Sequence, residues 1–153
     1  MMDIDVFYAE LEELLKKMKY QTARLEGQEP QIGDTLRAMV PVDAAGNMVL
    51  LEVLAAEYDE HTLLIQIYTT MIAEIGPGYE ALKEMLLDWN LTCPLGAFGI
   101  YRPAKQFYHK YNYLMPVDED QKEMATEIFY VIHLVMDVVA SGFPDIVRLS
   151  GNY

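Results

Sequence analysis

Cysteine is nearly absent: Cys93 stands alone among 153 residues. One thiol forms no intramolecular disulfide and no thiolate metal centre within a subunit, so a reducing compartment, the cytoplasm, is expected. Bases are scarce as well. Eleven Lys and Arg face twenty-four Asp and Glu, a formal net charge of −13, which repels polyanions and excludes nucleic acid as an expected partner. The one cluster of bases, Lys16, Lys17 and Lys19, shares a helix with Glu12 and Glu13. Glu12 to Lys16 and Glu13 to Lys17 are i, i+4 pairs in the favourable order, the pattern of a solvated helix face. Long apolar runs are missing too. The longest, Ile128 to Ala140, is interrupted by His133 and Asp137 and is too short to cross a bilayer, so no membrane span is expected. The first fifteen residues are acidic and amphipathic, unlike a secretory leader. There is no repeat and no low-complexity segment.

What is present is 52% apolar residues, enough for one domain with a single core and no staples. The most strongly patterned stretch is Asp118 to Ser141. Asp118 and Gln121 stand as in a capping box, and Met124, Ile128, Val131, Ile132, Val135, Val138 and Val139 recur at helical spacing. A first helix is predicted over 3–26, with Ile4, Phe7, Leu11, Leu14, Leu15, Met18, Thr22 and Leu25 on one stripe, stopped by Gly27. Strands follow over 35–42, 48–58 and 62–73, joined by turns too short for crossovers. The second of these is apolar on nearly both faces, which predicts a central strand covered twice. Gly76-Pro77-Gly78 breaks the pattern before a helix over 79–90 with Leu82, Met85, Leu86 and Trp89 on one side. Strands over 95–101 and 106–115, the helix over 118–141 and an irregular tail over 142–153 complete the chain. The predicted order is α-β-β-β-α-β-β-α, an α+β layer fold whose five-stranded, mostly antiparallel sheet is packed by helices.

No catalytic constellation emerges. His61, His109 and His133 fall in a turn, a strand and a helix without ligand spacing, so no metal and no cofactor is expected. Glu127, Tyr130, His133 and Asp137 fall along one side of the last helix. They read as its wet edge or as a polar pair at a subunit contact; the alternative is a general base oriented by a carboxylate, in a small-molecule sensor or enzyme with a pocket near His109, His133 and Asp137. Cys93 lacks the CxxC partner or helix N-terminus of a reactive thiol and reads as a packing residue. Gly76-Pro77-Gly78 lacks the further glycines and the lysine of a phosphate loop. Ten methionines and the cluster Phe7, Leu11, Leu14 and Met18 exceed what one small sheet needs, and pliable Met-bearing surfaces suit peptide binding.

The run LLDWNLTCPLGAFGIYRPAKQFYHKYNYLMP, Leu86 to Pro116, ends a helix in Trp-Asn, continues through a Gly-bearing strand and a hairpin, and leads to Pro-Val-Asp and a long apolar helix. With the element order, it resembles the type III secretion chaperone-like fold, within it the YbjN-type bacterial proteins and more distantly the Tir-chaperone family. The likeness covers nearly the whole chain through loose hydrophobic patterns. It implies a small, acidic, cytoplasmic homodimer that binds another protein and catalyses nothing. By element, it places the dimer contact on Leu82, Met85, Leu86 and Trp89, and the partner-binding groove on Phe7, Leu11, Leu14, Met18, Leu36, Ala38 and Met39.

Overall fold

The computed structural model describes residues 3–27, 33–117 and 120–152. It is an α+β fold in which helices cover one face of an antiparallel six-stranded sheet. Helix α1, Ile4–Lys17, starts where the Asp3 carboxylate accepts from the Asp5 and Val6 amides at 3.0 and 3.3 Å, satisfying donors that the first turn leaves open. Phe7, Tyr8, Leu11 and Leu15 form its buried stripe.

The predicted first helix is too long. It ends at Lys17, because Lys19 adopts a left-handed conformation (φ 65°) and the Lys19 and Tyr20 amides fold back onto the Lys16 and Leu15 carbonyls. The chain then reverses into a strand that the sequence reading missed, β1, Gln21–Leu25. No glycine marks this turn, so its residues keep a helix-compatible pattern until the sheet claims them. Arg24 fastens β1 beneath α1: it pairs with Asp5 and with Asp34 (2.8 Å), and its guanidinium lies 4.9 Å from the Tyr8 ring centroid.

Strands β2 (Thr35–Pro41), β3 (Met48–Asp59) and β4 (Thr62–Ile72) form the expected meander. Helix α2 (Tyr79–Thr92) and the hairpin of β5 (Ala97–Tyr101) and β6 (Gln106–Pro116) follow, in the sheet order β1-β2-β3-β4-β6-β5. Strand β6 thus inserts beside β4 over ten residue pairs, from Thr62 opposite Pro116 to Ile72 opposite Phe107. The inward positions are Leu36, Ala38 and Val40 on β2, Val49, Leu51, Val53 and Ala55 on β3, Leu63, Ile65, Ile67 and Thr69 on β4, and Phe107 and His109 on β6. Where β2 begins, opposite Leu54, the next β3 amide loses its strand partner. Tyr8 supplies one: its hydroxyl accepts from the Ala55 amide at 2.9 Å and donates to the Asp34 carbonyl at 2.6 Å. Burial pushes the Tyr8 phenol above its ordinary range, which keeps the proton that this bridge needs.

The last helix, α3, runs from Gln121 to Ser150. Its N-cap is Asp120, which accepts from the Glu123 amide at 3.1 Å; Asp118 lies outside the described residues. The expected tail is helical instead. Gly142 and Pro144 are absorbed because Phe143, Ile146 and Ser150 continue the buried stripe of Ile132, Val135 and Val139, and packing outweighs the hydrogen bond that proline removes. At its full length α3 is long and apolar enough to cross a membrane, yet its stripe is buried against the sheet and α1.

The double covering expected of β3 is also corrected. α1, α2 and α3 all pack on the face of Ala55, Phe98 and Phe107. Among the described residues the opposite face carries no helix.

Candidate binding surfaces

The structure redistributes the residues assigned to binding. Phe7, Leu11, Leu36 and Ala38 are core, closed between α1 and the sheet, and Leu14 is half-buried against them. The expected groove between the first helix and the early strands is therefore filled by the chain itself. Met18 is exposed at the end of α1, and Met39 lies half-buried on the uncovered sheet face. On α2, Leu82 is fully buried, Met85 is half-buried, and Leu86 and Trp89 pack on the core, with the Trp89 ring edge-on to Phe107 at 6.2 Å. Leu82 is thus unavailable to a second subunit. The exposed leucines of α2 are Leu87 and Leu91, each 84% accessible. An apolar stripe reveals that something covers a helix face, but not whose atoms do so.

The second half of α3, the C-terminal turn of α2 and β5 enclose a cleft of about 400 Å³. Trp89, Phe98, Val138 and Ile146 give it apolar walls, and Asp137 and Asp145 belong to its lining. Its two sides are held together by Asn90, whose side chain donates to the Phe98 carbonyl at 2.9 Å and accepts from the Phe98 amide at 2.7 Å. An amide side chain here does what a neighbouring strand would do for an edge strand. That is the structural role of Asn90 in the last turn of α2.

Cys93 also lines the cleft, with its sulfur 3.9 Å from Nε2 of His109. The pair is not arranged as an activated nucleophile. The Leu95 carbonyl accepts from the Cys93 thiol at 3.2 Å and lies 2.7 Å from Nε2. A carbonyl only accepts, so Nε2 carries the imidazole proton and has no lone pair for the thiol. Burial pushes the thiol up and the imidazole down, so both are held neutral, the opposite of a thiolate–imidazolium pair. His109 is completely buried, and its Nδ1 has no hydrogen-bond partner among the described residues.

A pH dependence follows. A histidine held neutral in the fold but free to protonate when unfolded stabilises fully above its unfolded pKa, about 6.5, and loses that contribution as pH falls through its lower folded value. The urea midpoint is expected to fall between pH 7 and pH 5 in the wild type and to fall less in His109→Gln, which keeps a donor but does not titrate. Parallel profiles would show that His109 is not the group responsible.

The other polar residues of α3 do not converge. His133 lies edge-on to Phe129 at 4.5 Å, Glu127 accepts from the Tyr113 hydroxyl at 2.8 Å, and Tyr130 is exposed. Asp137 lines the cleft; His109 and His133 do not. His61 lies exposed in the β3–β4 turn. Among the described residues no three His, Cys, Asp or Glu side chains gather as a metal site.

The uncovered sheet face is the second surface. Register aligns Met39, Leu50, Thr70, Tyr108 and Gly99 in one row across it, and Arg37, Glu52, Tyr68, Lys110 and Ala97 in the next. Leu54 with Gln66 and Asn112, and Ala56 with Leu64 and Leu114, continue toward the far end. Tyr68 and Tyr108 stack at 4.9 Å, and the Tyr68 hydroxyl bonds Gln106. Gly99 makes room for that stack, since a Cβ there would stand 2.4 Å from the Tyr108 ring. Burial, with Tyr108 and Glu52 nearby, pushes the Tyr68 phenol up to about 12. Of these residues only Met39 is expected at a binding surface from the sequence, because an apolar second face reads as one that the chain itself covers.

No protein-family model matches the chain, and a search of curated proteins finds no match.

Proposed function

We propose that the chain is a non-catalytic, cytoplasmic protein-binding module, chaperone-like or regulatory, that takes an apolar or amphipathic segment of a partner protein into the cleft between α2, β5 and α3. The observation that carries this reading is the composition of that cleft: Trp89, Phe98, Val138 and Ile146 beside Asp137 and Asp145, in a chain of net charge −13. Apolar side chains of a helix or extended segment gain burial on the walls, while lysines or arginines flanking them meet Asp137 and a favourable long-range field, Asp145 being paired with Arg148 at 3.2 Å. The resemblance of Leu86–Pro116 to YbjN-type and type III secretion chaperone-like proteins supports the same class of function, and the additional strand β1 departs from the five-stranded pattern of that likeness. The small-molecule alternative has less support, because His109 and His133 stay outside the cleft and the basic Nδ1 of His109 is fully buried.

Trp89 is the only tryptophan and lines the cleft, so its emission reports occupancy directly. A basic amphipathic peptide of leucines and lysines is expected to shift Trp89 emission saturably, whereas an acidic peptide of the same apolar content is not. Val138→Lys and Asp137→Lys are each expected to weaken binding of the basic peptide by about tenfold or more. Unchanged emission at saturating peptide, or equal binding by both variants, would remove the cleft from the proposal.

A further inference from the structure

Strand β6 is longer than the strand beside it. Its pairing with β4 runs from Thr62 opposite Pro116 to Ile72 opposite Phe107, but β5 covers only Gln106 to Lys110. From Tyr111 to Pro116 the other side of β6 has no neighbouring strand among the described residues. Parity decides which backbone groups lie there. The Val117 amide donates to the His61 carbonyl on the β4 side at 2.8 Å, so every second residue back, Met115, Tyr113 and Tyr111, turns its N–H and C=O toward β4. Asn112 and Leu114, both exposed, turn theirs to the open edge. Pro116 falls on that side too, where its missing N–H costs the ladder nothing.

The chain vacates this edge abruptly. Gly96 (φ 68°) crosses so close to β6 that a Cβ would stand 2.3 Å from the Lys110 carbonyl oxygen, and the Leu95 carbonyl then lies against buried His109, on the side that the helices cover. A depression of about 450 Å³ remains in line with β5, lined in part by Gly96, Phe98, Lys110, Tyr111 and Asn112. Proteins usually blunt open edges with charge, shortness or proline. At the opposite edge, β1 is five residues long and carries Arg24 held by Asp5 and Asp34. Tyr111–Met115 carries no charged residue.

We infer that the segment of a partner protein that enters the cleft is extended, and that it is held as an added strand on β6, its backbone paired with Asn112 and Leu114. The inference rests on the cleft as the partner's site and decides between a helical and an extended occupant. A row of unpaired N–H and C=O groups is complementary to another strand and to no helix. The two places adjoin, since Phe98 borders both the depression and the cleft. Helix α3 flanks the path: Glu127 accepts from the Tyr113 hydroxyl, and Leu134 and Val138, seven and eleven residues on, fall on the same side, with Val138 in the cleft wall. Glu127 to Val138 spans about 16 Å of helix, and Tyr111 to Met115 about 17 Å of strand. Alternate side chains of the added strand therefore point toward Tyr111, Tyr113 and α3 and suit apolar residues. The intervening ones point to solvent beside Asn112 and Leu114, where the charge of the chain favours lysine or arginine.

Two peptides of the same leucines and lysines, one alternating and one with leucines at three- and four-residue spacing, test the inference on the full chain. Trp89 emission reports the cleft, and hydrogen exchange of the Asn112 and Leu114 amides, followed by NMR, reports the edge. The alternating peptide is expected to bind the more tightly of the two, to shift Trp89 emission saturably and to slow both amides by about tenfold or more. Asn112→Pro is expected to weaken it by about tenfold or more, because the ring removes an edge donor that the fold does not use, while Asn112→Ala, which keeps that amide, binds as the wild type does. Should Asn112→Pro fail to fold, the exchange of the wild-type amides decides. A shift of Trp89 emission without protection of Asn112 and Leu114 overturns the added strand and leaves the cleft standing. So does tighter binding of the helically spaced peptide. Protection of both amides with unchanged Trp89 emission supports the strand and removes the cleft.

Discussion

Phe107→Ala is expected to destabilise the fold by about 3–5 kcal/mol, the range for emptying a buried phenylalanine site. Phe107 is fully buried on β6 and stands between two other rings, Trp89 of α2 at 6.2 Å and Phe98 of β5 at 6.0 Å. These rings belong to different elements and both wall the cleft. Neither can follow the lost ring inward without drawing its own backbone, so the cavity collapses poorly and the cost stays high. For a domain of this size the melting temperature should fall by roughly 10 °C or more. Calorimetry or circular dichroism measures the loss, and Trp89 emission should shift to the red in the folded variant as water reaches the indole. A loss below about 1 kcal/mol would mean that α2 can settle onto β6, and the cleft would then be a soft feature of the fold.

Gly78→Ala carries a comparable penalty for a different reason. The backbone of Gly78 is ordinary (φ −83°), so conformational freedom is not what requires glycine there. Space is. A Cβ would stand 1.6 Å from the Leu149 carbonyl oxygen and 2.9 Å from the Ser150 carbonyl carbon, and these are backbone atoms of the last turn of α3. The Gly78 amide also donates to the Ser150 carbonyl at 3.0 Å, and Asn152 accepts from the Gly76 amide at 2.7 Å and donates to the Glu74 carbonyl at 3.1 Å. A methyl group therefore parts the start of α2 from the end of α3 and breaks bonds between them, a loss of about 3 kcal/mol or more. Gly33→Ala is the control. Its nearest contact would be an ordinary 3.5 Å, so it should remain within about 0.5 kcal/mol of the wild type. Hydrogen exchange should show the last turn of α3 opening in Gly78→Ala alone.

That contact explains a motif that the sequence leaves without a role. Gly76-Pro77-Gly78 is not a phosphate loop by composition, and in the fold it is a seat for the end of α3. Its partner is some seventy residues away, so no local pattern announces it. The first turn of the chain is hidden for the opposite reason: Lys19 holds a conformation that usually goes to glycine, and Thr22 and Leu25 satisfy a helical stripe although they lie in a strand. At the C-terminus, Gly142 and Pro144 gave an ordinary stop signal, and the burial of Phe143 and Ile146 overrode it. The candidate sites were less legible still. Asp137 was singled out as part of a polar edge and does line the cleft, but Trp89, Phe98 and Ile146 join it only because β5 folds beside α2 and α3.

By itself the sequence determined an α+β chain with a hairpin-rich antiparallel sheet, strands within a residue or two of those observed from Thr35 to Pro116, and an acidic surface, because these follow from short-range period, turn chemistry and charge count. Only the tertiary structure decided that all three helices share one face, that β6 rather than β5 lies beside β4, and that the residues expected to bind partners are mostly core. Periodicity records that a side is apolar. Which element, or which second molecule, removes it from water depends on contacts between residues far apart in the chain, and those exist only once the sheet has closed its order.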